Sequence, residues 1–121
     1  MSTIIKDTLK NNLVRNFIVK EAFTQEEIPG QENMPSQSYI NILLELVDGL
    51  DIRFTELYFQ GNTYLVEIQN NAIKVLLSQA HETENKYSLK SDQALLFYII
   101  NEEAHQFVIN KVNKRSAIYL P

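Results

Sequence analysis

The stretch RFTELYFQGNTYLVEI, residues 53–68, decides the fold prediction because it carries the clearest local pattern in the chain. Two runs rich in aromatic and β-branched residues, 53–59 and 64–68, flank a short polar segment. Within that segment, Gly61-Asn62 suits the two-residue turn that joins the strands of a β-hairpin. We therefore predict an antiparallel hairpin over residues 53–68.

Downstream of this hairpin, apolar runs alternate with polar turns, beginning with a predicted turn at residues 69–71. The further predicted strands cover, in order, residues 72–77, 87–89, 95–100, 107–112 and 117–120. Residues 92–112 have an alternative, because Leu96, Ile100 and Ala104 also match the 3.6-residue period of a helix. The C-terminal half therefore predicts a meandering antiparallel sheet, with a helix over 92–112 left open.

Upstream of the hairpin, apolar residues recur at steps of three and four, which is typical of amphipathic helices. A first helix is predicted over residues 3–23, although alternation from residue 13 onward also fits a strand. A second helix is predicted over 36–50, and a buried strand over 39–46 is its alternative. Residues 24–37 lie between the two and, being rich in Pro, Gly and Gln, predict a loop.

These elements together predict the fold class. With 121 residues, the chain suits a single globular domain, residues 1–121, that buries its own hydrophobic core. The predicted class is α+β: one or two N-terminal helices packed on a meandering antiparallel β-sheet of about five to six strands. A mostly-β barrel with an N-terminal helix is the alternative.

Charge is distributed unevenly along the sequence. The formal net charge of -4 divides into +3 over residues 1–20, -8 over 21–73 and +1 over 74–121. The central span holds nine carboxylates and a single base, Arg53. An acidic surface of this kind steers association with a basic partner.

The chemistry of a catalytic or metal site is largely missing from the sequence. Two histidines and no cysteine leave few metal ligands, and Glu102-x-x-His105 is a single copy of a motif that di-metal proteins need twice. The chain has no nucleophile elbow and no glycine-rich phosphate loop. We predict no catalytic residue, no metal and no cofactor, and hence a non-enzymatic protein.

The composition also bears on compartment and ligand class. The absence of cysteine fits a reducing compartment, and Lys6 and Asp7 interrupt the N-terminal apolar residues where a signal peptide would need a longer run. The longest apolar run, 94–100, is too short to span a bilayer. A pI of about 5.1 argues against phosphate-backbone binding. The expectation is a cytoplasmic protein with no membrane or direct nucleic-acid ligand.

The predicted function is a small protein-binding module of the inhibitor, immunity or chaperone type. It would engage a basic partner protein through an acidic, tyrosine-rich surface. The candidate partner-binding residues are Glu45, Asp48, Asp51, Arg53, Glu56, Tyr58, Tyr64 and Glu67.

Two alternatives come from other classes. One is a carrier of a small apolar ligand, held in a curled sheet lined by residues such as Phe54, Tyr58, Leu96 and Phe97. The other is a self-associating structural protein, possible as a homodimer, that pairs through an exposed strand edge such as Ala117–Leu120.

Overall fold

The computed structural model describes residues 17–82 and 87–121, and these residues are organised almost entirely as β-strands. Eleven strands and one short 3-10 helix lie in these ranges. They are β1 (Phe17–Ile28), β2 (Gln37–Leu46), β3 (Ile52–Phe59), β4 (Asn62–Leu65), β5 (Ile68–Gln69), β6 (Ala72–Leu76), the 3-10 helix (Leu77–Gln79), β7 (His81–Glu82), β8 (Ala94–Ile100), β9 (Glu103–Ile109), β10 (Asn113–Lys114) and β11 (Ile118–Tyr119).

The strands form two sheets. The first sheet has the order β10-β1-β2-β6-β5, with β11 also pairing with β1, and the second has the order β7-β4-β3-β8-β9. Most neighbours are antiparallel, whereas β10 and β11 run parallel to β1. The last residues of the described chain therefore return to the first described strand.

The two sheets share one hydrophobic core. In β2, Ile40, Ile42 and Leu44 are buried while the intervening side chains face outward, which is the two-residue alternation of a strand with one covered face. The same cluster includes Leu57 and Leu96 of the second sheet. Burial of these apolar side chains between the sheets is the main term that stabilises the fold.

Aromatic residues join the two sheets at one end of the core. The ring of Phe17 on β1 makes edge-to-face contacts with Phe54, Tyr98 and Phe107 of the second sheet, at centroid distances of 5.2, 5.0 and 5.3 Å. Such contacts add to the stabilisation that area burial provides. Phe17 thus fixes the start of β1 against three strands of the opposite sheet.

The α+β prediction is wrong. Residues 17–23 of the first predicted helix belong to β1, and most of the second predicted helix, 36–50, forms β2, so in both described regions the strand alternative is the one observed. The 3.6-residue pattern over 36–50 coexists with alternation at 40, 42 and 44, and pairing of β2 with both β1 and β6 favours the strand. The part of the first predicted helix before residue 17 lies outside the described residues. The barrel alternative is not met either, because the described strands form two separate sheets and no closed barrel.

The predicted loop over 24–37 is also too long. Strand β1 continues to Ile28, so the connection between β1 and β2 covers only residues 29–36. Strand β1 reaches this far because β2 pairs with it up to Glu27, and β11 pairs with its last two residues, Glu27 and Ile28. A partner that lies more than 80 positions away gives no signal in the local composition.

The hairpin prediction is confirmed for the pairing of its two strands, but its turn is displaced by one residue, its second strand ends at Leu65, and Ile68 belongs to the first sheet. Strands β3 and β4 pair from Glu56 with Leu65 to Phe59 with Asn62, so the turn residues are Gln60-Gly61 rather than Gly61-Asn62. Gln60 and Gly61 have φ angles of 51° and 85°. Positive φ at both central positions is the geometry that a twisted hairpin prefers.

Downstream of residue 90 the predicted strands occur with shifted bounds and the helix alternative over 92–112 is not observed, whereas the predicted strand over 87–89 is wrong, because these residues form no strand. Strands β8 and β9 pair along seven residues, from Ala94 with Ile109 to Ile100 with Glu103. A two-residue turn, Asn101-Glu102, joins them, again with positive φ at both positions. The predicted turn at 69–71 also occurs, as Asn70-Asn71 between β5 and β6.

Candidate binding surface at the acidic end

Five carboxylates lie at one end of the sandwich, which we call the acidic end: Glu45, Asp48, Asp51, Glu102 and Glu103. Glu45 is near the end of β2, and Asp48 and Asp51 lie in the connection that follows. The pairing of Ile52 with Ile100 brings that connection beside the turn between β8 and β9, which carries the last two. Residues that are distant in sequence therefore lie at the same end of the two sheets.

The connection between β2 and β3 presents its acidic residues outward. The backbone N–H of Leu50 donates to the carbonyl oxygen of Val47 at 3.4 Å, which closes a turn with Asp48 and Gly49 at its centre. Gly49 has a φ of 77°, a conformation that glycine adopts at no steric cost. Asp48 and Asp51 are consequently exposed on either side of a tight turn.

None of the five carboxylates forms a salt bridge with a lysine or arginine within residues 17–82 and 87–121. The imidazole of His105 lies beside one of them, with Nε2 3.9 Å from Oε1 of Glu103. Arg53, the single base of the central span, is exposed on β3 at this end. The acidic end is therefore left largely unneutralised by the chain's own described bases.

Two carboxylates elsewhere on the first sheet, Glu21 and Glu27, do form salt bridges with bases. Glu27 accepts a hydrogen bond from Nζ of Lys74 at 2.7 Å, and Nζ lies over the ring of Tyr39 at 4.4 Å. Arg115 pairs with Glu21 and stacks over the ring of Phe23 at 3.7 Å. These carboxylates belong to the predicted acidic span but are matched by bases from the C-terminal half.

The opposite end of the sandwich carries a further ion pair and the largest described cavity. Nζ of Lys111 donates to Oδ2 of Asp92 at 3.1 Å, and this hydrogen bond lowers the pKa of the Asp92 carboxyl. The pair lines a cavity of about 770 Å³, together with Gln25, Gln60 and Lys114. Its lining is mainly polar and differs from the apolar pocket predicted for a ligand carrier.

Two large apolar side chains are exposed among the carboxylates of the acidic end. Val47, next to Asp48, has 54% of its surface exposed. Ile18 on β1 is 48% exposed and lies directly opposite Glu45 on β2. Apolar side chains surrounded by charged groups resemble the anatomy of a protein interface, where apolar anchors sit inside a polar rim.

Two tyrosines among the predicted partner-binding residues are buried. Tyr64 is only 4% exposed, because it pairs with Leu57 and shares its inward face, and this burial raises the pKa of its hydroxyl. Tyr58 faces outward but is 5% exposed, because the ring of Tyr87 packs against it at 4.7 Å. Neither ring offers contact area to a partner. The alternation within the hairpin could have placed Tyr64 inside, whereas Tyr87 lies in another segment and gave no signal for Tyr58.

The remaining predicted residues, Glu56 and Glu67, lie away from the acidic end. Glu56 is on the outer face of the second sheet, opposite Phe97. Glu67 lies between β4 and β5 and lines a side groove with Asn41 and Lys74. The structure therefore brings together four of the eight predicted residues, Glu45, Asp48, Asp51 and Arg53, and adds Glu102 and Glu103, which lie outside the acidic span of the sequence.

The chain matches no protein-family model, no curated protein and no solved structure. Function is therefore argued from geometry and charge alone.

Three further observations on the described residues concern metal binding, membrane spanning and the predicted apolar pocket. In residues 17–82 and 87–121, no group of three or more His, Asp or Glu side chains is arranged to hold a metal ion. The described part of the chain contains no helix that is long and apolar enough to cross a membrane. Phe54 and Leu96, proposed as the lining of an apolar ligand pocket, belong to the packed core.

Proposed function

We propose that the protein is a non-enzymatic binding module that engages a basic partner protein through its acidic end. The observation that carries this proposal is the combination found there: five carboxylates without a lysine or arginine partner in the described residues, around two exposed apolar side chains. By contrast, Glu21, Glu27 and Asp92 each pair with a lysine or arginine. Inhibitors, immunity proteins and assembly chaperones are classes that act through such surfaces.

Each part of the surface has a distinct physical role. The carboxylates produce a negative potential that accelerates encounter with a positively charged partner and disfavours acidic ones. Val47 and Ile18 supply apolar area whose removal from water holds the complex once it has formed. A nucleic acid does not fit, because its phosphates would be repelled by this end.

The basic character of the partner follows from charge complementarity. A lysine- or arginine-rich surface would meet carboxylates that no salt bridge to a described lysine or arginine has to release. Asp48 and Asp51 stand on a turn that protrudes between the ends of the sheets, so a partner can approach them without displacing a strand. The proposal therefore centres on Val47, Asp48 and Asp51.

The test is capture of a partner from the native host with the immobilised protein, carried out at low and high salt. We expect a protein that is retained by the wild type at low salt and released at high salt, because screening weakens exposed charge pairs. The same protein must be lost by Asp48→Lys and by Val47→Ser. Its retention by these variants would contradict the proposal.

A matched control is available at the opposite end. Glu32 is an exposed carboxylate in the connection between β1 and β2. Glu32→Lys changes the net charge by the same amount as Asp48→Lys but leaves the acidic end intact. If both variants lose the partner equally, the effect belongs to net charge and the acidic end is not the binding surface.

A further inference from the structure

Strand β9, Glu103–Ile109, is the outermost strand of the second sheet. One side of β9 pairs with β8 along its full length of seven residues. Among the described residues no strand pairs with its other side. Alternate backbone N–H and C=O groups along β9 therefore point away from the sheet, which makes the strand a template for another strand.

The other outer strands of the described sheets are much shorter. Strands β5, β7, β10 and β11 each have two residues, too few to support an extended ladder. Proteins also protect edges with lysine, proline or a β-bulge. Strand β9, with the sequence EAHQFVI, has no lysine or proline and pairs with β8 without a shift in register. Its length sets it apart from the two-residue outer strands, and its regular register sets it apart from the first half of β1, where the pairing with β2 shifts between Val19 and Glu21.

The outer face of β9 is exposed and apolar at two positions. Ala104 is exposed, and Val108 has 40% of its surface exposed. The two residues face the same side because they are four positions apart in a strand. Gln106, also exposed, lies between them.

We propose that β9 pairs antiparallel with β9 of a second copy of this chain. Two copies of this strand can pair in an antiparallel register that is centred on Gln106, its middle residue. In that register Gln106 faces Gln106, Ala104 faces Val108, and His105 faces Phe107 of the second copy. Glu103 faces Ile109, so no like charges lie opposite each other, which would be destabilising. The two five-stranded sheets then become one continuous ten-stranded sheet.

Space for the inward-facing side chains of the added strand exists beside β1. A groove of about 310 Å³ lies between β1 and β9, lined by Val19, Ala22, Phe107 and Ile109 among others. Among the described residues, the first half of β1 pairs only with β2. Apolar side chains of the second copy would add to the apolar lining that Val19, Ala22 and Ile109 provide.

This pairing shares Glu103 with the acidic end and is otherwise separate from the proposed function. Its outward-facing residues lie along the side of the second sheet, and the binding surface around Val47, Asp48 and Asp51 remains accessible. One experiment can therefore fail without affecting the other.

The first test is the molar mass of the full chain in solution by light scattering. We expect a concentration-dependent dimer between about 5 and about 500 µM, because an interface built mainly on one strand is small and such interfaces bind weakly. Ala104→Lys/Val108→Lys places lysines opposite each other in the proposed register and should give monomer throughout. Ala104→Glu/Val108→Glu should also be monomeric, and mixing the two variants should restore a heterodimer.

Several outcomes would overturn the proposal. They are a wild type that is monomeric over the whole range, a lysine variant that still dimerises, or a mixture that stays monomeric while circular dichroism shows both variants folded.

A second measurement tests the register without altering charge. The chain has no cysteine, so Gln106→Cys introduces a single thiol that faces its counterpart across the dimer axis. Directly opposite residues in an antiparallel pair are close enough to form a disulfide, and mild oxidation should yield a covalent dimer. Ala104→Cys lies on the same face but far from its counterpart and should stay monomeric. Equal crosslinking of both variants, or of neither, would overturn the proposed register.

Discussion

Glu102 adopts a left-handed backbone conformation that is sterically unfavourable for glutamate. It is the second residue of the turn between β8 and β9 and has a φ of 67°. The equivalent positions of the other two-residue turns hold Gly61 and Asn71, which adopt positive φ more readily. The turn is retained because β8 and β9 pair on both sides of it.

Replacing Glu102 with glycine should therefore stabilise the protein. Glu102→Gly removes the steric cost of a left-handed conformation, partly offset by the greater entropy of glycine in the unfolded chain, for a net gain of about 0.5–1 kcal/mol. Chemical denaturation measures the change. Glu102→Gln is the control, because it removes the charge and leaves the backbone strain. A glycine variant no more stable than the glutamine variant would contradict the assignment.

Tyr64 makes a second prediction at the residue scale. Burial raises the pKa of its hydroxyl in the folded protein, although a hydrogen bond with Asn62 opposes this shift. The folded state then holds the proton more tightly than the unfolded state, so stability is complete below the unfolded pKa of about 10 and falls as the pH rises above it.

Tyr64→Phe should reduce this alkaline loss of stability. The free energy of unfolding, measured by denaturation at pH 9 and again near pH 11, should fall less in the variant than in the wild type. Tyr119→Phe is the control, since Tyr119 is exposed on β11. An identical alkaline loss in wild type and Tyr64→Phe would show that this hydroxyl does not titrate differently on folding.

At the scale of elements, local patterns predicted the hairpins and failed for the first two strands. The region 53–68 has alternation and turn residues within one short segment, so its structure is encoded locally. The region 36–50 contains apolar residues at both Ile42 and Leu43, which satisfy a helix and a strand alike. Pairing with β1 and β6 decides between them, and that pairing depends on residues far away in the sequence.

Alanine substitutions in β2 distinguish the strand from the predicted helix. Ile42 is fully buried in the core, so Ile42→Ala should cost about 2–5 kcal/mol. Leu43 faces the outer side of the first sheet and is half-buried, so Leu43→Ala should cost clearly less. On a helix both side chains would share the core-facing side. Similar losses of stability for the two variants, measured by urea denaturation, would contradict the observed strand.

At the scale of the whole molecule, the sequence predicted a segregation of charge but not its location. The acidic span of residues 21–73 does not form one surface, because Glu21 and Glu27 are paired with Arg115 and Lys74 on the outer face of the first sheet. Glu102 and Glu103 join the acidic end from outside the span. Parallel pairing of β1 with β10, in which Phe23 meets Asn113, is the kind of contact that no local pattern reveals.

The candidate site could be predicted only in part, because the burial of some of its residues depends on contacts with residues far away in the sequence. The sequence identified Asp48 and Asp51 as part of the acidic span, and both are exposed although the predicted helix before them is a strand, because charged residues beside a glycine turn stay exposed in either case. It placed Tyr58 on the surface because the residue that covers it, Tyr87, follows almost thirty positions later. Burial of an outward-facing ring depends on the whole chain, whereas the exposure of a turn depends on a few neighbours.

The salt dependence of the partner complex is the sharpest test of binding through the acidic end. Affinity for the captured partner would be measured over a series of salt concentrations for the wild type, Asp48→Lys and Glu32→Lys. We expect wild type and Glu32→Lys to lose affinity in parallel as salt rises, and Asp48→Lys to bind more weakly at low salt and with a shallower dependence. An affinity that is independent of salt, or unchanged in Asp48→Lys, would contradict binding through the acidic end.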